Sequence, residues 1–143
     1  MRWSHVGLNC KDQKTTEEFY TRWFGFDRAR VVDLGDSEIV FLRRGEAYLE
    51  LFPAASGPAT VAANDGPAEP GTIRHLAFQT DDVDAFLAEL GDEADVTLGP
   101  LDFDDFICGW RTVWVRDPDG VIVEVSQGYE DDDTSDKDGA RHG

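Results

Sequence analysis

Two histidines and two glutamates sit in apolar, strand-like runs of this 143-residue chain. His5 begins SHVGLNC and Glu50 lies within AYLELF; His75 begins RHLAFQT and Glu124 lies within VIVEVS. A carboxylate inside an apolar strand is costly unless it is paired. The two His–Glu separations are nearly equal, and each pair occupies the same place in its half of the chain. Two imidazoles and two carboxylates suit a divalent transition metal and leave coordination positions open for water or substrate. A cation would also make facing carboxylates tolerable. The competing reading is four structural residues: two hydrogen-bonded core histidines and two strand glutamates paired with arginine. Each residue taken singly fits that reading; the matched placement in both halves favours the metal.

Strand alternation says where these side chains point. In SHVGLNC, Val6 and Leu8 oppose His5, Gly7 and Asn9; in RHLAFQT, Leu76 and Phe78 oppose His75, Ala77 and Gln79. Leu49 and Leu51 oppose Glu50, and Val121, Val123 and Val125 oppose Glu124. The wholly apolar faces are expected to pack under helices, and the four titratable residues to share the opposite, concave face. If the two halves curl together, both pairs line one cavity.

The elements that must position them repeat. Residues 2–10 form a first strand, and KTTEEFYTRWFGF a helix, with Thr15 and Glu18 spaced as a capping box and Gly25 as its stop. Strands are expected at DRARVVDL, SEIVFLR and AYLELF, the last two joined at RRGE. After PAASGPATVAANDGPAEPGT, a Pro-, Gly- and Ala-rich linker or mobile loop, the order restarts. IRHLAFQT is a strand, and Asp81 or Asp82 caps a helix that ends at Gly91. A strand is placed near DVTLG and another within LDFDDFICG, before the clearer pair RTVWVR and VIVEVS around the turn DPDG. The fold class is therefore α+β: two tandem βαβββ modules forming curved, mostly antiparallel sheets around a shared cavity. A single domain covers residues 1–128, with module one at 1–53, a linker loop at 54–72 and module two at 73–128. Residues 129–143, charged and aperiodic, read as a disordered acidic tail that holds His142.

The net charge of −17, from 30 acidic against 13 basic residues, repels phosphate backbones, so nucleic acid is not an expected partner. Scarce lysine and abundant aspartate also suit a high-salt, halophilic interior where cations screen the repulsion. No apolar run is long enough for a membrane span or an export signal, so no membrane partner is expected and a cytoplasmic location is the default. Cys10 and Cys108 match no zinc spacing and read as small buried residues. Arg43 and Arg44 read as solvated turn residues, and Phe103, Phe106 and Trp110 as pocket wall or core. There is no phosphate-binding glycine loop and no nucleophile motif.

HVGLNCKD with FYTRWFGF, AYLELF, GTIRHLAFQTDDVDAF and VRDPDGVIVEVS, in this order, resemble the vicinal oxygen chelate superfamily. That group includes glyoxalase I, methylmalonyl-CoA epimerase, extradiol dioxygenases and the bleomycin and fosfomycin resistance proteins. The resemblance implies paired modules, each cupping a metal site, commonly in a homodimer that acts on a small-molecule substrate. The closest ligand pattern is that of bacterial glyoxalase I, whose His-Glu-His-Glu set falls on His5, Glu50, His75 and Glu124. It implies a divalent ion (Ni, Zn, Co, Mn or Fe), a metal-assisted isomerisation, and Glu124 or Glu50 as the proton carrier. Extradiol dioxygenases imply Fe(II) on His5, His75 and Glu124 alone, and bleomycin-binding members need no metal. Residues 53–72 depart from the glyoxalase segment and offer no glutathione-binding arginine, which leaves open which thiol cosubstrate, if any, is used.

Overall fold

A computed structural model describes residues 1–132. The expected acidic tail lies, from residue 133 onward, outside the described residues. Module one comprises β1 (Val6–Cys10), α1 (Gln13–Phe24), β2 (Asp27–Asp33), β3 (Glu38–Arg44) and β4 (Ala47–Pro53). Module two comprises β5 (Leu76–Gln79), α2 (Val83–Leu90), β6 (Val96–Asp102), β7 (Arg111–Arg116) and β8 (Ile122–Gln127), with a short 3-10 turn at Gly91–Glu93. Each module folds into an open four-stranded sheet, of order β1-β4-β3-β2 in one and β5-β8-β7-β6 in the other. In both sheets the first strand pairs parallel with the last, and the remaining pairings are antiparallel. The repeated sequence has become a repeated topology, α+β as expected.

Several boundaries differ from the sequence reading. The first strand begins at Val6, so His5 stands just before it. Helix α1 is capped by Asp12, whose side chain accepts from the Lys14 amide, and not by Thr15. Asp12 serves better because the chain turns helical at Gln13, which leaves Thr15 inside the first turn. Gly25 does end α1, in the left-handed conformation at φ 71°, and Asp82 caps α2. One strand, β6, replaces the two expected between Gly91 and Arg111. Residues 103–110 instead form tight turns, with amides of Phe106 and Ile107 bonded to the Phe103 carbonyl.

The alternation places the core where the pattern demands. Leu8, Cys10, Val40, Leu42, Leu49 and Leu51 are buried on one face of the first sheet; Val113, Val115, Val123 and Val125 are buried in the second. Together with Tyr20, Phe24 and Phe26 they form one cluster, so the modules share a core. Phe24 packs on Phe78 and Phe86, with ring centres 4.5 and 5.5 Å apart. The β7–β8 turn latches onto module one through polar bonds, of which the Tyr20–Asp117 bond is buried. Tyr20 donates its hydroxyl to Asp117 at 2.7 Å, and Asp119 accepts from the Lys11 amide at 2.7 Å and the Thr16 hydroxyl at 2.5 Å. Burial, then the neighbouring Asp117, raises the Tyr20 hydroxyl pKa well above its ordinary value. Asp117 is itself raised, chiefly by burial, against the lowering effect of the Tyr20 bond.

Candidate metal centre

Register fixes both glutamates beside small residues. Glu50 lies opposite Gly7 across the parallel β1–β4 pair, and Glu124 opposite Ala77 across β5–β8. A Cβ at Gly7 would come to 3.3 Å from the Phe52 ring, so a larger side chain there would crowd the face that carries Glu50. On the other flank each glutamate pairs with an aromatic residue: Phe41 with Glu50 and Trp114 with Glu124. Each aromatic ring meets its histidine edge-on, Phe41 at 5.7 Å from His5 and Trp114 at 6.5 Å from His75. The two faces are therefore built to one plan, histidine and glutamate between a small residue and an aromatic wall. Phe41 and Trp114 escaped the sequence reading; their signal was the matching aromatic in FLRRGEAYLE and VWVRDPDGVIVE, on the strand that precedes each glutamate's strand.

The pairs differ in detail. His5 Nε2 lies 2.6 Å from Glu50 Oε2, and its Nδ1 lies 2.7 Å from the Ser4 hydroxyl. His75 Nδ1 lies 2.7 Å from the Asp65 carbonyl oxygen, and its Nε2 stands 3.7 Å from Glu124 Oε1. Side chains of His75 and Glu124 keep 20% and 21% of their exposure, low enough to weaken hydration yet open to a ligand. Burial raises the Glu124 pKa; His75 opposes that shift when its ring is protonated, and Asp65 adds to it. A cavity of about 780 Å³ adjoins His75, with walls that include Gly7, Asn9, Ile73 and Ile122.

The structure thus joins His5 with Glu50 and His75 with Glu124. It does not bring all four together: among the described residues no group of three or more His, Cys, Asp or Glu side chains is placed to hold a metal ion. Within one chain the donors stand as two half-sets, one in each module. The donor types nonetheless suit a divalent cation, and the hydrogen bond at His75 Nδ1 leaves its Nε2 directed at Glu124. The remaining candidates have structural partners. Arg44 donates to the Phe24 carbonyl, Arg43 to the Gly45 carbonyl, and Trp110 stacks near Phe103. Cys10 is buried as expected, whereas Cys108 is exposed.

Residues 2–125 match the family model described as Glyoxalase/Bleomycin resistance protein/Dioxygenase superfamily. The chain belongs to that superfamily. Solved structures carry the same fold across nearly the whole superfamily domain. A glyoxalase family protein from Enterococcus faecalis is 29% identical, with a TM-score of 0.66 over 87% of this chain and 96% of that one. A fosfomycin resistance protein, FosX, from Listeria monocytogenes is 17% identical, with a TM-score of 0.68 over 90% and 94%. TnmS3, an antibiotic binding protein from Streptomyces sp. CB03234, is 21% identical, with a TM-score of 0.63 over 90% and 98%. At such identities the last two show the fold alone. A FosX variant is known in complex with Mn(II) and 1S,2S-dihydroxypropylphosphonic acid. No curated protein matches the chain. The superfamily contains metalloenzymes and also proteins that only bind. Among the described residues no helix is long and apolar enough to cross a membrane.

Proposed function

We propose that the protein is a metal-dependent enzyme of glyoxalase type, which moves a proton between adjacent carbons of a small oxygenated substrate. Its complete site is assembled between two copies, with His5 and Glu50 from one and His75 and Glu124 from the other. The observation that carries this reading is the pair of matched half-sets, each with two donors and neither with a third among the described residues. A C2 pair of chains would complete two sites at once, because each copy offers both halves. When bound, a divalent ion (Ni, Zn, Co, Mn or Fe) would polarise two neighbouring substrate oxygens.

The protein's own groups then divide the work. His5 and His75 would hold the ion through their imidazole rings, and Glu50 and Glu124 would complete the donor set. Glu124 is also the proton carrier, taking the proton from one carbon and returning it to the next. Phe41 and Trp114 stand beside the carboxylates as aromatic walls.

Turnover of methylglyoxal with a panel of thiols, after loading each metal, tests the proposal. Activity that is lost in Glu124→Gln supports it. Inactivity with every metal and thiol, or oxygen uptake with catechols under Fe(II), would replace it with another member chemistry. One contact favours a second reading. The 2.6 Å bond between His5 and Glu50 satisfies both groups without a cation, as suits a protein that only sequesters a small molecule. Glu50→Gln separates the two: it weakens metal uptake in the enzyme and leaves ligand affinity intact in the binder.

A further inference from the structure

The loop between β4 and β5 does more than connect the modules. We propose that Asp65 and Gly66 are positioning residues for His75: the Asp65 carbonyl fixes the ring in the tautomer protonated on Nδ1 and leaves a bare lone pair on Nε2. The use of that lone pair rests on the metal reading above; the tautomer itself does not.

The argument begins with one atom that can only accept. The Asp65 carbonyl oxygen lies 2.7 Å from His75 Nδ1, so the hydrogen between them must belong to the ring. A neutral imidazole carries a single ring proton, and Nε2 is then unprotonated. The distance from Nε2 to Glu124 agrees, since 3.7 Å is too long for a hydrogen bond. His5 is held differently. Its Nδ1 meets a Ser4 hydroxyl, which can donate or accept, and its Nε2 is already engaged by Glu50 at 2.6 Å. One half-set is closed on its own carboxylate; the other is held open.

The loop is shaped to deliver that carbonyl. Asn64 and Gly66, on either side of Asp65, have φ of 54° and 118°. At Gly66 a Cβ would lie 1.7 Å from the Arg74 carbonyl oxygen, so only glycine allows the loop to approach the residue before His75 this closely. Three bonds then hold the segment. Thr97 on β6 donates to the Asn64 carbonyl at 2.6 Å, the Gly66 amide to the Ala63 carbonyl at 3.0 Å, and Arg74 to the Asp65 carboxylate at 3.0 Å. The ring is therefore oriented before any ion arrives. Partners of this kind raise the basicity of a ligand histidine and fix its direction, and their loss typically lowers metal affinity ~10–100-fold.

Nitrogen NMR of the imidazoles in metal-free protein reads the tautomer directly, with His75→Gln assigning the signal. The expected result is a protonated Nδ1 and an unprotonated Nε2 at His75; a proton on Nε2, or exchange between the two forms, overturns the inference. Gly66→Ala should erase that signature and lower zinc affinity ~10–100-fold; unchanged zinc affinity in folded Gly66→Ala overturns it. If Gly66→Ala does not fold, Asp65→Ala keeps the carbonyl but removes the Arg74 pair, and is expected to mix the tautomers and weaken zinc. An unchanged tautomer and unchanged affinity in Asp65→Ala would count against the loop. Zinc uptake with the proton on Nε2 sinks this inference and leaves the proposed function standing. The Nδ1 form without zinc uptake by the wild type sinks the metal reading, and with it the purpose given to the lone pair.

Discussion

Replacing Tyr20 with phenylalanine deletes one oxygen atom at the joint between the modules. Tyr20 is fully buried, and its hydroxyl donates to Asp117 Oδ2 at 2.7 Å. The other carboxylate oxygen already accepts from the Asp119 and Val121 amides at 2.8 and 2.9 Å. Asp117 retains 4% of its exposure, so water has little access to replace the lost donor. A bond to a charged acceptor contributes about 1.5–3 kcal/mol. For a chain of this size that is a fall in melting temperature of roughly 4–10 °C. The pH dependence sharpens the test. Burial raises the folded-state pKa of Asp117 above its ordinary value, and the Tyr20 bond pulls it down. A raised carboxyl contributes stability that is fully present below the unfolded pKa and lost as pH rises through the folded one. Removing Tyr20's hydroxyl raises the folded pKa further. The deficit of Tyr20→Phe is therefore largest near neutral pH and shrinks as Asp117 protonates on acidification. Urea unfolding of both proteins across that range measures it. A deficit under about 0.5 kcal/mol near neutrality, or one that does not shrink toward acid, would refute the role given to this bond.

Three further outcomes are expected. Cys10 keeps 1% of its exposure and its thiol pKa is pushed up to about 12, mainly by burial, whereas Cys108 is exposed. A thiol reagent should accordingly titrate Cys108 in the native protein and Cys10 only after unfolding; fast labelling of both in the native state contradicts the packing. The net charge of −17 predicts that stability rises from dilute buffer to molar salt, and a flat thermal melting series removes the halophilic reading. Glu50→Gln should weaken metal uptake measured by calorimetry, and an unaltered affinity would take Glu50 out of the donor set.

The fold was legible because the apolar faces alternate without interruption. Leu8 and Cys10, Leu49 and Leu51, and Val123 and Val125 carry the period of the strand, and all are buried as it requires. The repeated order of strands and helices then supplied the topology. Boundaries were less visible. Asp12 outcompeted Thr15 as a cap because tertiary contacts started α1 early: Gln13 donates to the Glu38 and Leu51 carbonyls at 2.8 Å. The region after Gly91 misled because Phe103, Phe106 and Trp110 carry strand-like composition but lie in turns. Within the site, each His–Glu pairing followed from alternation, whereas the holding groups did not. Ser4 and Asp65 act through a hydroxyl rotor and a main-chain carbonyl, and neither leaves a pattern in side-chain type. Nothing in a single sequence fixes how two modules face each other, so whether one site forms within a chain or between chains was not legible. The relation between the half-sets depends on the shared core of Phe24, Phe78 and Phe86, a contact between residues far apart in sequence.

The central claim is that one ion is held by His5 and Glu50 of one copy and His75 and Glu124 of another. Mixing two inactive variants, His5→Ala and His75→Ala, tests it most directly. Neither alone can build a whole site in any pairing, but a mixed dimer contains one site with both histidines intact. Co-refolding them should restore metal binding to roughly a quarter of the wild-type sites after random exchange. Recovery of that fraction is the predicted result. No recovery in mixtures shown to exchange subunits, or full metal binding by either variant alone, would contradict the account.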